Sequence, residues 1–211
     1  GSMPPFSTSI EQEGLLVRNH WLSAGGTPDR QGWNQCLQGL RSPPRDPELL
    51  WADLQAQAAA NYLGMELFGQ LLQLEGPRRV GRYLRHVQDH AAATVQRLIG
   101  RFQNRTFEVQ LDNGARLKLA LQVDHKRQQA VLDFTGTSAQ STHNFHAPLA
   151  VTKAAVLYVI RCLVEEPIPL NAGCFRPLTL VVPEGSLLNP RSPAAVVAGN
   201  VETSQALCNL L

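Results

Sequence analysis

Several signatures of chemistry are missing from this chain of 211 residues. None of its three lysines, Lys118, Lys126 and Lys153, follows a glycine, so no Walker A loop exists to cradle a nucleotide phosphate. No G-x-S-x-G elbow occurs, and the exposed serine nucleophile of an α/β-hydrolase has nowhere to form. Cysteine is scarce: Cys36, Cys162, Cys174 and Cys208 make no C-x-x-C pair and no regular framework. That spacing excludes a cysteine-held zinc and fits thiols kept reduced, so the expected location is cytoplasmic. A large charge of one sign is absent as well. A formal net charge of +2, without a basic tract interleaved with aromatics, gives no basis for a nucleic-acid partner. The longest apolar run, residues 147–164, is broken by Lys153 and Arg161 and reads as a buried helix, so no membrane partner is expected. No secretory signal is expected at the start of the chain, and the sequence shows no internal repeat or low-complexity segment.

What is present is the composition of a globular protein, 44% hydrophobic and 17% charged, with enough residues to bury a core. Residues 15–22 are expected to be strand-like, closed by Gly25-Gly26. Thr27-Pro28 offers a cap and a first-turn proline for a short helix through Trp33 to Leu40. Asp46-Pro47 repeats that signal at the head of a long helix, in which Leu50, Leu54, Ala58, Asn61, Met65, Phe68 and Leu72 form one stripe. Gly76-Pro77 ends it. A second helix carries Val80, Leu84, Val87, Ala91, Val95, Leu98 and Phe102 at similar spacing, and the two are expected to form a helical hairpin. Residues 107–111, the Asp112-Asn113-Gly114 turn, residues 117–123 and residues 130–134 alternate like a β-meander. A further helix is predicted from Pro148 at its first position to about Val164. Short strands follow at 178–182 and 194–197, and then a last helix from about Val201. The predicted class is mixed α+β, mainly helical over 27–105 and mixed over 106–211.

The candidate chemistry is sparse. His86 and His90 stand four apart on the second helix, but the residues between them lack the glutamate of a zincin. His143 and His146 flank Asn144-Phe145, a pair of ligands without the third that catalytic zinc needs. Arg78, Arg82 and Arg85 share one helix face, either solvated or available to a partner subunit. Two polar loops lead into helices, one through Asn144 toward Pro148 and one through Asn200 toward Glu202, Thr203 and Ser204. These five residues are candidates for substrate contact, with ordinary capping by Asn200 or Thr203 as the plainer alternative. Asp53, Gln57 and Asn61 lie four apart as a polar seam, whose expected role is to fix helix packing. Two successive prolines in Ser2-Met3-Pro4-Pro5 favour a stiff extended path.

Read in order, Ser2-Met3-Pro4-Pro5, Asp53-Leu54-Gln55-Ala56-Gln57-Ala58-Ala59-Ala60-Asn61, Asp133-Phe134-Thr135-Gly136-Thr137-Ser138, Asn171-Ala172-Gly173-Cys174, Val182-Pro183-Glu184-Gly185-Ser186 and Ala198-Gly199-Asn200-Val201-Glu202-Thr203-Ser204-Gln205 closely resemble the hydantoinase B/5-oxoprolinase family. Gly199-Asn200-Val201 and Asn171-Ala172-Gly173-Cys174 look more like its 5-oxoprolinase branch. The resemblance implies ATP-dependent opening of a cyclic amide, 5-oxo-L-proline with ATP and water giving L-glutamate, ADP and phosphate. An N-methylhydantoin or another lactam is the alternative substrate. An unstrained lactam is a poor electrophile, and phosphorylating its oxygen creates a leaving group. The resemblance further implies ATP and Mg in a hydantoinase A-like half, a divalent metal held by motifs upstream of Gly-Ser-Met-Pro-Pro, and an oligomeric assembly. No residue here inherits a metal-ligand role or an assigned catalytic role by motif. The chain is accordingly expected to be an internal piece of a hydantoinase B-type domain, inactive alone. Two roles stay open for it: a scaffold that stiffens the metal loop and lines the substrate chamber, or a purely architectural surface joining the two halves.

Overall fold

The computed structural model describes residues 4–40 and 43–211. Gly1, Ser2 and Met3 of the opening motif, with Arg41 and Ser42, lie outside the described residues. From Pro4 the expected extended path gives way to a turn at Pro5 and Phe6, followed by the short helix α1 (Ile10–Glu13).

Residues 15–22 form no strand. Leu15, Leu16 and Val17 are exposed and no neighbouring strand pairs with them. Gly25 and Gly26, both at positive φ, instead fold a two-residue hairpin of β1 (Ser23–Ala24) and β2 (Thr27–Pro28). Thr27 and Pro28 are thereby used as strand, and the next residue caps the helix. The Asp29 carboxylate accepts the Gly32 N–H at 2.9 Å and starts α2 (Arg30–Leu37).

The two long helices follow their local signals. Asp46 accepts the Leu49 N–H at 2.9 Å and Pro47 opens α3 (Pro47–Glu75). Gly76 then turns at φ +80 into α4 (Pro77–Ile99). At about 1.5 Å per residue, the 29 residues of α3 make a rod roughly 43 Å long. Trp51 roots it, stacked on Trp33 of α2 with the Arg30 guanidinium over its ring. The hairpin forms, but its stripes are not covered along most of their length. Met65, Phe68, Leu84 and Val87 are all exposed, whereas burial resumes at Ala91.

The α4 half from Ala91 to Ile99 lies on a four-stranded sheet ordered β3 (Arg105–Gln110), β4 (Arg116–Asp124), β5 (Gln129–Asp133), β6 (Leu178–Val181). The first three strands are the antiparallel meander, and β6 returns parallel to β5 after α5 (Leu149–Leu163). Alternation along β4 and β5 turns Leu117, Leu119, Ala130 and Leu132 inward. They join Val95, Ile99, Val156, Ile160, and Leu207 and Leu210 of α6 (Ser204–Leu210) in one core. The observed class is therefore mixed α+β. Pro148 caps α5 instead of occupying its first position.

The second predicted late strand, 194–197, is not one. Ala194 makes a single bridge to Ser9, and the N–H groups of Val196 and Val197 find a carboxylate in place of a neighbouring strand.

Candidate functional site

Two of the motifs prove to be structural. In the stretch 133–138, the Asp133 carboxylate accepts the Thr135 N–H, and the hydrogen bonds from Thr135 hold its pKa below the usual carboxylate value. The Thr137 and Ser138 hydroxyls then accept the N–H groups of Lys118 and Arg116, extending β4 where β5 has left it. This carries the chain off the sheet into the loop 139–147. In the stretch 171–174, the Asn171 side chain accepts the Gly173 N–H at 2.7 Å and folds a 3-10 turn (Ala172–Phe175). That turn packs so closely on α4 that a Cβ at Gly173 would meet the Gln88 carbonyl oxygen at 2.1 Å.

Three segments distant in sequence converge at the loop: residues 4–7, 143–147 and 195–203. Asn144 is 3% exposed. Its amide N–H₂ donates to the Pro5 carbonyl at 2.9 Å and to the Ser7 hydroxyl at 3.3 Å, and its backbone oxygen accepts the Ala198 N–H at 3.0 Å. Ser7 in turn donates to Glu13 at 2.6 Å. The buried Glu13 carboxylate accepts the N–H groups of Val196, at 2.9 and 3.0 Å, and of Val197, at 3.0 Å.

His146 is fully buried. Its Nε2 accepts the Ser141 N–H at 3.0 Å, and its Nδ1 lies 2.7 Å from the Ala195 carbonyl, which fixes the tautomer with the proton on Nδ1. His143 stacks on it, with centroids 4.4 Å apart, and meets Phe145 edge-on. The two histidines do come together as their spacing allowed, but both His146 nitrogens are already bonded, so the pair cannot chelate a metal in this arrangement. Among the described residues no three His, Cys, Asp or Glu side chains stand close enough to hold a metal ion. His86 and His90 are exposed on α4.

The Gly199-Asn200 stretch is a π-turn (Gly199–Thr203) running into α6. Thr203 stands at the N-cap of α6, but neither its side chain nor that of Asn200 makes a capping hydrogen bond. The Thr203 hydroxyl is buried and donates to the Phe145 carbonyl, while Gly199 lies directly beneath His146. Ser204 is half-buried and donates back to the Asn200 carbonyl at 2.8 Å. What remains open to a ligand is the Asn200 amide and the Glu202 carboxylate, both exposed. Single-turn π segments inside helices recur at functional sites because they redirect a few side chains out of the helical repeat. Asp53, Gln57 and Asn61 of the polar seam are all exposed on α3.

Glu13 and Ser7 are connecting residues that sequence reasoning did not single out, and His146, weighed there only as a metal ligand, is a third connector. No motif or periodicity marks the first two, since their partners lie as far as 184 positions away. An apolar cavity of about 320 Å³ between the sheet and α5 is lined by Phe107, Leu119, Leu132, Val156 and Ile160. None of the converging loop residues reaches it.

The pKa of His143 is lowered from its ordinary 6.5, first by burial and then by the neighbouring His146. Consistently, its Nδ1 accepts the Phe145 N–H at 3.2 Å. The unfolded chain thus takes up this proton at a higher pH than the folded one. The stabilisation is fully present above the unfolded value and is lost as pH falls through 6.5 toward the folded value. Between about pH 7.5 and 5.5, the urea midpoint of the wild type should fall more steeply than that of His143→Gln. Parallel slopes would refute the assignment.

Comparison with known proteins agrees with the motifs. The family model described as hydantoinase B/oxoprolinase matches residues 1–211. The chain is 40% identical over 225 residues to a 5-oxoprolinase of Saccharomyces cerevisiae and 36% identical over 235 residues to 5-oxoprolinase 1 of Arabidopsis thaliana. All of this chain aligns in both cases, but it spans only 17% and 19% of those relatives. In fold it is similar to an ATP-dependent caprolactamase from Pseudomonas jessenii. That match has a TM-score of 0.77 at 19% identity, over 96% of this chain and 36% of the other. A family model matched end to end, together with an α+β fold that recurs in a solved structure, establishes that this chain belongs to the hydantoinase B/oxoprolinase family.

Proposed function

We propose that this chain is part of an ATP-dependent cyclic-amide hydrolase of the 5-oxoprolinase type, converting 5-oxo-L-proline, ATP and water to L-glutamate, ADP and phosphate. Its contribution is the scaffold and one wall of the substrate chamber. The observation that carries this reading is Asn144, which clasps the Pro5 carbonyl with its amide while its own backbone oxygen holds Ala198. One buried residue thereby couples the segment after Gly-Ser-Met to the π-turn that presents Asn200 and Glu202. Asn144 and Thr203 are assigned to holding the wall, because their polar groups are spent internally. Asn200, Glu202 and, through its hydroxyl on the Asn200 carbonyl, Ser204 are assigned to the ligand-facing rim. Among the described residues no group of side chains is placed to hold a metal ion; in this reading ATP with Mg and the divalent metal are assigned to other parts of the protein, as the family resemblance implies.

In the complete protein, Asn200→Ala and Glu202→Gln should each lower turnover of 5-oxoproline by about 10- to 100-fold, because a rim donor or charge acts on the reacting geometry. Thermal unfolding should stay within about 2 °C of wild type, as both side chains are exposed. Turnover per folded molecule that stayed at the wild-type level would remove the chamber assignment.

The partner proposal rests on the arm. α3 is apolar on nearly every side and is nevertheless exposed, with Leu63 at 56% and Leu74 at 81%. A helix of that composition is normally buried in an assembly. Arg78, Arg79, Arg82 and Arg85 line the exposed half of α4 beside it. We assign this arm to the contact with the hydantoinase A-like half. Reversing Arg78, Arg82 and Arg85 together to glutamate should separate the halves on gel filtration and leave circular dichroism unchanged. A complex that remained intact would count against the arm.

A further inference from the structure

The structure assigns Glu13 as the positioning residue of the chamber wall. This inference rests on the chamber reading above and deepens it. Glu13 closes the short helix α1 and is 9% exposed, an uncommon position for an ionised side chain. Its salt-bridge partners among the described residues are none. Its charge is met instead by donors: Oε1 takes the Ser7 hydroxyl and the N–H groups of Val196 and Val197, and Oε2 takes the Val196 N–H a second time. Hydrogen bonds to an ionised acceptor are shorter and about twice as strong as neutral ones.

The consequence is mechanical. Residues 194–198 are not a strand and have no sheet to hold them. Beyond the bridge to Ser9 and the Ile10 N–H to Pro193 carbonyl bond at 2.9 Å, the Glu13 carboxylate is what ties this stretch to α1. Ala198 follows at once and opens the π-turn that presents Asn200 and Glu202. On its other side, Glu13 fixes Ser7, which receives the Asn144 amide. The Glu13 carboxylate therefore sets, together with Asn144, the distance between the residues 4–7 segment and the ligand-facing rim. A rim displaced by about 1 Å is enough to cost on the order of 100-fold in rate when reacting groups must be aligned.

The test compares Glu13→Ala, Glu13→Gln and Ser7→Ala in the complete protein, with 5-oxoproline as substrate and hydrogen exchange of the Val196 and Val197 amides as a second readout. Glutamine retains an oxygen at the position that receives three of the four bonds, but it gives up the charge and turns its amide N–H₂ toward the Val196 N–H, so it should lose about three- to tenfold in kcat. Alanine removes all four bonds and should lower kcat by about 30- to 100-fold with KM changed by less than about threefold. Ser7→Ala should stay above alanine. Exchange at Val196 and Val197 should quicken at least tenfold in Glu13→Ala and by less in Glu13→Gln. A Glu13→Ala enzyme within threefold of wild-type kcat overturns the inference. So does a glutamine variant as damaged as alanine in both kcat and exchange, because the three bonds to the retained oxygen would then hold nothing. If Glu13→Ala does not fold, the glutamine and Ser7 variants carry the same comparison. A wild-type protein that leaves 5-oxoproline and other lactams intact sinks the chamber reading instead, and the exchange pattern then decides alone whether Glu13 holds the 196–200 backbone.

Discussion

Gly199→Ala is expected to destabilise the chain by about 3 kcal/mol or more, at the upper end of what overpacking a closed interior costs. A Cβ there would stand 1.9 Å from the His146 carbonyl oxygen, 2.4 Å from its carbon and 2.8 Å from the Ala147 nitrogen. These are backbone atoms and cannot swing aside as a side chain would. Nor can the loop retreat as a unit. His146 is bonded on both ring nitrogens, the Ala147 N–H donates to the Leu187 carbonyl at 2.8 Å, and the Thr203 hydroxyl of the same π-turn ties down the Phe145 carbonyl. The π-turn and the histidine loop must separate, and the urea midpoint should drop accordingly. Gly64→Ala is the matched control. It lies within α3 with open space around the added methyl, so the change should be worth about 0.5–1 kcal/mol in the opposite direction. A Gly199→Ala midpoint within the error of wild type would mean that the two segments do not pack as described.

His146→Leu should cost about 1–4 kcal/mol, although leucine restores most of the ring's volume. The loss comes chiefly from the carbonyl of the fully buried Ala195, left without a partner at about 1–3 kcal/mol, and less from the N–H of Ser141, an exposed residue that water can reach. His146→Gln gives a graded comparison. Its amide oxygen reaches roughly where Nε2 stood and can accept from Ser141, so only the smaller part of the loss should return. Equilibrium unfolding in urea measures both variants. A leucine variant as stable as wild type would show that the two bonds contribute nothing, and that the ring is only filling space.

Both ends of α3 and the start of α4 were legible because the physics that sets them is local, whereas Phe102, expected on the second helix, lies beyond its end at Ile99. Asp46 and Pro47 satisfy and pre-shape a first turn, and Gly76 adopts the positive φ that ends one helix before Pro77 starts the next. The β-meander was legible for a similar reason: alternation and the turn at 112–114 lie within the strands they define. The misplaced helix start at Thr27 shows where local reading stops. The cap comes instead from Asp29, two residues later and with no proline after it, once Gly25 and Gly26 have folded a hairpin that uses Thr27 and Pro28. Residues 194–197 show a deeper limit. Their apolar sequence suits a strand, but strands are completed by neighbours, and here the available acceptor is a glutamate near the other end of the chain.

The same distinction runs through the candidate site. Composition and motif order by themselves determined the fold class, the family and which loops carry the polar residues. These depend on residue types and short-range spacing, which any stretch of the chain displays on its own. Only the tertiary structure decided that Asn144, Thr203 and His146 are committed to internal bonds while Asn200 and Glu202 stay free. A polar side chain is available or spent according to which donor or acceptor folding brings within about 3 Å of it, and that partner comes from a distant part of the sequence.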